Sequence, residues 1–254
     1  MAHTDLRARL GDRPCFGTVL KIPRPEVADL LAIAGFDFVI CDMEHAQVSE
    51  LEARVAIKAC VANDLPVIVR LPDLDQGIIN RLFEAGATGI QMSRLRTKSD
   101  ARQLFALTHF PPLGVRSVGQ ANPRAGYGSV PLPTYVEDGN ARIVLVGQFE
   151  TREVEQPIDA AMEGLDVAFI GPVDLSVDFG VPGQADHPEV VARIRDIEAA
   201  ATRTGTAMGA FVGSVERALE LVARGYRYLA VSGDISILGT AAKAMIAQLR
   251  AGAS

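Results

Sequence analysis

The 254-residue sequence has little cysteine: only Cys15, Cys41 and Cys60, with no CxxC spacing among them. An odd number of cysteines without paired spacing argues against a disulfide framework and against a zinc site built from thiolates. Reduced, buried thiols are the remaining interpretation, and they are typical of a cytoplasmic protein.

Long runs of one kind of residue are also missing. The chain has no cluster of lysine and arginine, and its formal net charge is −6, whereas nucleic-acid-binding domains carry basic patches. No apolar stretch reaches the roughly 20 residues that a membrane-spanning helix needs, and residues 1–14 lack the apolar segment of a secretory signal. We therefore expect a cytoplasmic protein with no nucleic-acid partner and no membrane partner.

Short apolar segments recur along the chain. They have the length of parallel strands, and they lack clean alternation, as expected for strands buried on both faces. The eight predicted strands are residues 15–20, 36–41, 66–69, 88–92, 143–149, 167–170, 207–212 and 228–231.

Helical patterns separate these segments. Ser49 and Glu52 have the spacing of a capping box, and Gly35, Gly86, Gly205 and Gly225 suit the ends of helices. The predicted helices are residues 25–34, 49–62, 75–85, 188–204, 215–224 and 236–249. Residues 111–140 break the rhythm, because they are rich in Gly and Pro and carry Arg116, Arg124 and Tyr127. They are interpreted as a long loop, which is usually functional in a compact domain.

Strand and helix in regular succession predict a parallel sheet. Eight such units predict an α/β fold closed into a (β/α)₈ TIM barrel, as one domain over residues 1–254, and about 250 residues is typical of that fold. The alternative is an open doubly wound sheet, which normally has a Gly-rich nucleotide loop after its first strand. Residues 21–25 read Lys-Ile-Pro-Arg-Pro and contain no glycine.

Catalytic groups of such a barrel lie at the carboxyl ends of its strands, and four of the predicted strand ends carry unusual polar groups. The second is followed by Asp-Met-Glu-His at 42–45, the third ends at Arg70, the fifth ends in Gln148-Phe149-Glu150, and the sixth is followed by residues 171–176. Singly, each has an ordinary explanation: Glu150 as an acid in a helix that starts at Thr151, or Asp174 as a turn cap. Their shared rim predicts a functional site.

Two carboxylates without a cluster of thiolates or histidines favour a hard cation, Mg²⁺ or Mn²⁺. With Glu150 and Asp174 as its only protein ligands, the ion keeps positions open for an oxo acid and acts as a Lewis acid. The backbone N–H groups around Gly171, Pro172, Val173 and Asp174 would bind the substrate carboxylate.

These strand-end motifs resemble the HpcH/HpaI aldolase family, the metal-dependent class II pyruvate aldolases. The similarity extends over most of the chain. It is carried by residues 42–45, Val69-Arg70, and residues 111–116, 148–152, 170–176 and 187–190.

The resemblance implies a (β/α)₈ barrel whose last helix is exchanged between neighbours in a homohexamer. It implies that Glu150 and Asp174 bind the divalent metal, with Co²⁺ as a further candidate. It implies that His45, held by Asp42, is the base acting through water. Arg70 is then the contact of the carbonyl or enolate oxygen of pyruvate.

Two further positions come from the same resemblance: Gln148 as an active-site glutamine, and Glu84 as an acid that reaches a neighbouring subunit's site. The sequence also departs from the family pattern. Residues 91–97 are longer and more basic than the usual Pro-containing segment, and Ser117 replaces a glycine. Lys21 follows the first strand, where a small or apolar residue is expected. These rim positions leave the aldehyde unspecified.

The predicted reaction is reversible cleavage of 4-hydroxy-2-oxo acids to pyruvate, or hydroxypyruvate, and an aldehyde. One alternative is a Schiff-base aldolase, which requires a lysine nucleophile, and Lys21 is the candidate at the rim. Another is a related carbon–carbon lyase acting on a CoA thioester. A third is a catalytically silent oxo-acid-binding protein on the same fold, although such a protein would have little use for the base His45.

Overall fold

The computed structural model describes residues 5–253, in which eight parallel strands form a closed barrel in sequence order. The last strand pairs with the first and completes the closure. The strands are β1 (Cys15–Leu20), β2 (Phe38–Asp42), β3 (Val67–Leu71), β4 (Gly89–Met92), β5 (Val144–Phe149), β6 (Val167–Ile170), β7 (Ala207–Val212) and β8 (Tyr228–Gly233). The predicted (β/α)₈ class is confirmed.

Helices surround the strands. They are α1 (Leu6–Asp12), α2 (Pro25–Ile33), α3 (Glu50–Ala62), α4 (Gln76–Ala85), α5 (Lys98–Thr108), α6 (Leu132–Ala141), α7 (Pro172–Asp178), α8 (Pro188–Thr204), α9 (Val215–Ala223) and α10 (Asp234–Gly252). The predicted capping box of Ser49 and Glu52 is present. Gly86 and Gly205 cap α4 and α8 with φ of 117° and 74°, in the left-handed region that glycine adopts without strain.

The amino-terminal end of the barrel is filled by side chains. Phe38 stacks on Tyr228 with ring centroids 4.1 Å apart, and Leu6 and Leu10 of α1 join the same buried cluster. A second cluster fills the space between the strands and the outer helices. Because one end of the barrel is packed in this way, the opposite end is the place for a site.

The interpretation of residues 111–140 as a loop holds for residues 111–122, which form no helix or strand, and is wrong for most of residues 123–140. They contain a 3₁₀ segment (Pro123–Gly128) and most of α6. The segment leads from the end of α5 to the start of β5, and its earlier part packs along α4, where Gln76 and Asn80 donate to Val115 O and Ser117 Oγ. Arg116 is buried, with its guanidinium carbon 4.5 Å from the Phe83 ring centroid and 4.3 Å from that of Phe110.

The last helix, α10, exposes its apolar side chains. Asp234 is its buried residue, and every residue from 240 to 252 is exposed. The large apolar side chains that it exposes are Ile235, Ile237, Leu238, Met245, Ile246 and Leu249. On α2, Leu30 and Ile33 are exposed as well. Within residues 5–253, no helix has the length and apolarity to cross a bilayer.

Candidate active site

A cavity of about 430 Å³ opens at the carboxyl end of the strands. It brings together residues from the ends of all eight strands, which are far apart in sequence. Its lining includes Val19, Lys21, His45, Arg70, Gln91, Gln148, Gly171, Pro172, Val173, Asp174, Phe211 and Ile235. Most of the site residues predicted from the sequence therefore share one cavity, with Asp42 and Glu150 buried just behind its wall.

Asp42 and Arg70 form the shortest ion pair at the cavity. They are register partners on β2 and β3, and Arg70 Nε and Nη2 donate to the two oxygens of Asp42 at 3.0 and 2.6 Å. Burial by itself would raise the pKa of Asp42. The hydrogen bond and charge of Arg70, with two backbone N–H donors, outweigh burial and lower it. Asp42 is therefore ionised and holds Arg70 in place.

His45 is placed differently from the expectation. Asp42 Oδ1 accepts hydrogen bonds from the backbone N–H groups of Glu44 and His45, at 3.1 and 3.0 Å, while the imidazole is half-exposed with Nε2 3.7 Å from Glu44 Oε2. Asp42 therefore holds the loop and Arg70, not the imidazole ring. The cause is the β2–β3 register, which sets Asp42 opposite Arg70.

Glu44 received no role from the sequence, although it lies inside the quoted Asp-Met-Glu-His motif. Its Oε2 accepts a hydrogen bond from Ser93 Oγ at 2.6 Å and lies 3.3 Å from Arg70 Nη1. Glu44 thus contacts both the arginine and the histidine of the site. Ser93 belongs to the unusual segment after β4, whose function could not be read from the sequence.

Glu150 ends a chain of buried amides. Gln91 Nε2 donates to Gln148 Oε1 at 2.5 Å, Gln148 Nε2 donates to Glu150 Oε2, and the backbone N–H of Arg94 donates to Glu150 Oε1 at 2.8 Å. Burial raises the pKa of Glu150 to about 7, and the nearby carboxylates of Asp174 and Glu44 add to the rise while the Gln148 and Arg94 donors oppose it. No helix begins at Thr151, so the helix-dipole explanation of Glu150 is wrong.

Asp174 stands in the first turn of α7, which begins after Gly171. A Cβ added to Gly171 would lie 3.2 Å from Glu150 Oε2 and 3.7 Å from Asp174 Oδ2. The two carboxylates therefore approach one small space, and it stays open because residue 171 has no side chain. The N–H groups of Val173 and Asp174 lie in the first turn, where the helix offers them no acceptor.

The donor set suits a hard cation with open coordination positions. Carboxylate oxygens are the ligands that Mg²⁺ prefers, and Mg²⁺ is commonly held by one or two of them with water or substrate in the other positions. Over residues 5–253 no salt bridge to Glu150 or Asp174 is formed, and no group of three His, Cys, Asp or Glu converges as a closed site. The residues therefore fit a cation bound by two carboxylates.

Two predicted positions lie at the edges of this arrangement. Lys21 lines the cavity, with Nζ 3.4 Å from Asp42 Oδ2. Glu84 is in the last turn of α4 beside Gly119, so it does not line the cavity of its own chain.

Comparison with known proteins gives consistent matches over nearly the whole chain. The sequence profile described as HpcH/HpaI aldolase/citrate lyase matches residues 18–240. The chain is 30% identical over 254 residues to the hydroxypyruvate/pyruvate aldolase of Paraburkholderia phytofirmans, covering 96% of this chain and 97% of that protein. It is 32% identical over 244 residues to the 4-hydroxy-2-oxo-heptane-1,7-dioate aldolase of Escherichia coli, covering 95% and 93%.

Among solved structures, an HpcH/HpaI aldolase/citrate lyase family protein from Burkholderia cenocepacia superimposes with a TM-score of 0.89 at 30% identity. The match covers 97% of this chain and 100% of that one. The likeness thus includes both the barrel and the strand-end segments from which the cavity is built.

Proposed function

Because the chain belongs to the HpcH/HpaI aldolase/citrate lyase family, we propose that it is a carbon–carbon lyase of the pyruvate aldolase type. It cleaves 4-hydroxy-2-oxo acids reversibly to pyruvate, or hydroxypyruvate, and an aldehyde. The observation that carries the proposal is the convergence of Arg70, Gln148, Gly171 and Asp174 on one cavity, with the Glu150 carboxylate directly behind Gly171.

Glu150 and Asp174 are the proposed ligands of a divalent cation, Mg²⁺ or Mn²⁺, with Co²⁺ as a substitute. When bound, such an ion polarises the carbonyl group of an oxo acid as a Lewis acid. Gln148 orients Glu150 through its amide, and the first-turn N–H groups of Val173 and Asp174 are donors for the substrate carboxylate. These contacts fix the oxo acid at the β5–β6 side of the cavity.

Arg70 is the proposed donor to the carbonyl oxygen of pyruvate and to the enolate oxygen that replaces it. A guanidinium has five N–H groups, and the two hydrogen bonds to Asp42 leave donors on Nη1 and Nη2. Because Asp42 fixes the guanidinium before substrate binds, no reorganisation is needed as negative charge develops on the oxygen.

His45 is the proposed general base, acting through water. In cleavage it accepts the proton of the 4-hydroxyl group as the C3–C4 bond breaks, and the electron pair of that bond forms the enolate. The protonated His45 then returns its proton to C3 through water, which gives pyruvate. In the direction of addition His45 removes the C3 proton, the resulting enolate attacks the aldehyde carbon, and the new alkoxide oxygen takes the proton back from His45. Imidazole is the commonest side chain in this role.

The test is a retro-aldol assay of a panel of 4-hydroxy-2-oxo acids, with and without Mg²⁺ or Mn²⁺, run beside a panel of acyl-CoA compounds. Release of pyruvate from the oxo acids supports the proposal. Cleavage of CoA thioesters alone would assign the chain to the other branch of carbon–carbon lyases. Pyruvate binding without turnover of either panel would indicate a binding protein.

Gly171→Ala should weaken Mn²⁺ binding by about 10-fold or more, the size of effect usual for residues that orient metal ligands. The added Cβ would lie 3.0 Å from Glu150 Cβ and would occupy the space between the two carboxylates. Calorimetric titration with Mn²⁺ measures the loss, and a thermal melt shows whether the fold is retained.

Gly213→Ala is the matched control. Gly213 follows β7 at the same end of the barrel, and a Cβ there meets nothing within 4 Å. Equal Mn²⁺ affinity in the wild type and in both variants would contradict a cation at Gly171.

A homohexamer with exchanged last helices is the proposed assembly, since α10 exposes an apolar surface along its length. Light scattering should give about six times the chain mass of 27.1 kDa. Leu238→Asp combined with Met245→Asp should dissociate the assembly, because both side chains are more than 60% exposed in the single chain and would be buried against a neighbour. Lys243→Gln, an exposed change on the same helix, is the control.

A wild-type mass of 27.1 kDa across a wide concentration range would contradict the exchange. In the assembly, Glu84 is the proposed contribution of each subunit to its neighbour's site. This role follows from the family resemblance.

A further inference from the structure

Lys21 is a cationic side chain of the cavity to which the proposed reaction gives no role. It follows β1, whereas Glu150 and Asp174 follow β5 and β6. In a closed barrel of eight strands in sequence order, β1 lies opposite β5. Lys21 is therefore on the far side of the cavity from the carboxylates that would hold the oxo acid.

The position of Lys21 is fixed at both ends of the residue. Asp234, a buried carboxylate at the start of α10, accepts from the backbone N–H groups of Lys21 and Ile22 at 2.9 and 2.7 Å. The ammonium group is 3.4 Å from Asp42 Oδ2. A lysine held this firmly presents its charge at a defined point of the cavity.

The ammonium group keeps most of its hydrogen-bonding capacity. Asp42 accepts four closer hydrogen bonds, two from Arg70 and two from backbone N–H groups, at 2.6 to 3.1 Å. Lys21 makes the longest of the contacts to this carboxylate, and an ammonium group carries three donors. Two of its three N–H bonds are thus free to meet a ligand.

The charges in contact around Asp42 balance only when Lys21 is counted. Asp42 and Glu44 carry two negative charges, Arg70 carries one positive charge, and Lys21 brings these four to zero. The nearby carboxylate of Asp234 is occupied by three backbone N–H donors. Val19, Phe211 and Ile235 line the same cavity, and apolar walls strengthen a contact between opposite charges by lowering the local dielectric constant.

We propose that Lys21 binds a carboxylate group on the acceptor aldehyde, so that the acceptor is a short oxo acid with an aldehyde carbon. The inference rests on the proposed aldolase function. Asp42 Oδ2 is 3.4 Å from Lys21 Nζ and 2.6 Å from Arg70 Nη2, so these two nitrogens are at most about 6 Å apart. An enolate oxygen bound by Arg70 and a carboxylate bound by Lys21 are then separated by only a few covalent bonds of the reacting molecules. This separation fits a carboxylate attached directly to the aldehyde carbon.

Glyoxylate and glycolaldehyde test the proposal as a charged and a neutral acceptor of nearly the same size. With pyruvate as donor, the ratio of kcat/KM for glyoxylate to kcat/KM for glycolaldehyde should fall about 10- to 100-fold in Lys21→Met, the usual cost of losing a charged hydrogen bond. Lys21→Arg should recover part of the ratio. Arg24→Gln removes an exposed positive charge from the same loop, outside the cavity, and should leave the ratio unchanged.

Exchange of the pyruvate C3 protons with deuterated water, measured without aldehyde, separates the two levels of the proposal. Wild-type enzyme that exchanges these protons, with an unchanged acceptor ratio in Lys21→Met, would overturn the role of Lys21 and leave the aldolase function intact. An equal loss with both acceptors would overturn it too, since it would mean that Lys21 only supports Asp42 and Arg70. Wild-type enzyme that catalyses neither exchange nor aldol turnover would overturn the aldolase function and this inference with it.

Discussion

Treatment with EDTA should abolish aldol turnover, and Mg²⁺, Mn²⁺ or Co²⁺ should restore it. Glu150 and Asp174 approach one space beside Gly171, and burial raises the pKa of Glu150 to about 7 in the absence of a cation. A bound cation would favour the ionised carboxylate. Since a Lewis acid contributes several kcal/mol to stabilising charge on a carbonyl oxygen, its removal should lower kcat by about 10³-fold or more.

Two substitutions separate loss of the ion from loss of the fold. Glu150→Gln and Asp174→Asn each replace one charged oxygen by an amide of the same shape, and Mn²⁺ affinity should fall in both while the melting temperature stays close to that of the wild type. Glu153→Gln is the matched control, because Glu153 is an exposed carboxylate of the same loop. Calorimetric titration with Mn²⁺ and a thermal melt on each variant complete the comparison.

Two results would contradict a metal ion held by Glu150 and Asp174. Full activity in metal-free enzyme, with pyruvate trapped covalently on Lys21 by borohydride, would show a Schiff-base aldolase. The structure gives Lys21 an ion-pair partner instead, because its Nζ lies 3.4 Å from Asp42 Oδ2. Wild-type Mn²⁺ affinity in both carboxylate variants would show that neither residue binds the metal.

The barrel could be predicted from the sequence because its strands are buried on both faces and read as short apolar runs. β1, β6 and β7 begin and end where the apolar segments do. α6 could not be predicted, since Pro133 and Gly139 lower its intrinsic helix propensity. It is stabilised by tertiary contacts instead, such as Tyr135 against the Phe110 ring at 5.6 Å between centroids.

The position of the site residues followed from the fold, and their pairing did not. Parallel strands in a barrel bring Arg70, Gln148 and Asp174 to one end whatever their partners are. Which acidic side chain pairs with which basic side chain depends on the register of adjacent strands. Asp42 pairs with Arg70 because the two residues are opposite each other on β2 and β3. The bridge from Gln91 through Gln148 to Glu150 likewise joins two strands. Such contacts leave no periodic signal in a single sequence.

Arg70→Ala should slow every reaction of pyruvate, including exchange of its C3 protons in the absence of aldehyde. The loss should be about 10²- to 10³-fold in kcat, the usual effect of removing one donor to a developing oxyanion. Arg70 also pairs with the buried Asp42, and breaking a buried ion pair costs about 3–5 kcal/mol of stability. Arg70→Lys keeps a positive charge beside Asp42 but cannot form the bidentate contact. This variant should therefore be more stable than Arg70→Ala and still exchange the C3 protons of pyruvate slowly.

His45→Ala should fail in a different way. Turnover should fall about 10²- to 10⁴-fold, the usual contribution of a general base, while Mn²⁺ binding stays near that of the wild type. Stability should also be retained, because the hydrogen bond from residue 45 to Asp42 is made by the backbone N–H, which alanine keeps, and the imidazole is half-exposed. Steady-state kinetics, Mn²⁺ titration and thermal melts on the same preparations give the three readouts.

The combination of readouts decides between a base and a loop residue. If His45 only holds its loop, His45→Ala will lower the melting temperature and leave turnover per folded molecule almost unchanged. If the variant turns over normally once saturated with metal but binds Mn²⁺ weakly, the roles of His45 and the carboxylates have to be exchanged. Reduced turnover with an unchanged melting temperature and unchanged Mn²⁺ affinity is the result expected for a general base at the cavity mouth. The half-exposed imidazole belongs neither to the core nor to the metal site, so its loss should affect only proton transfer.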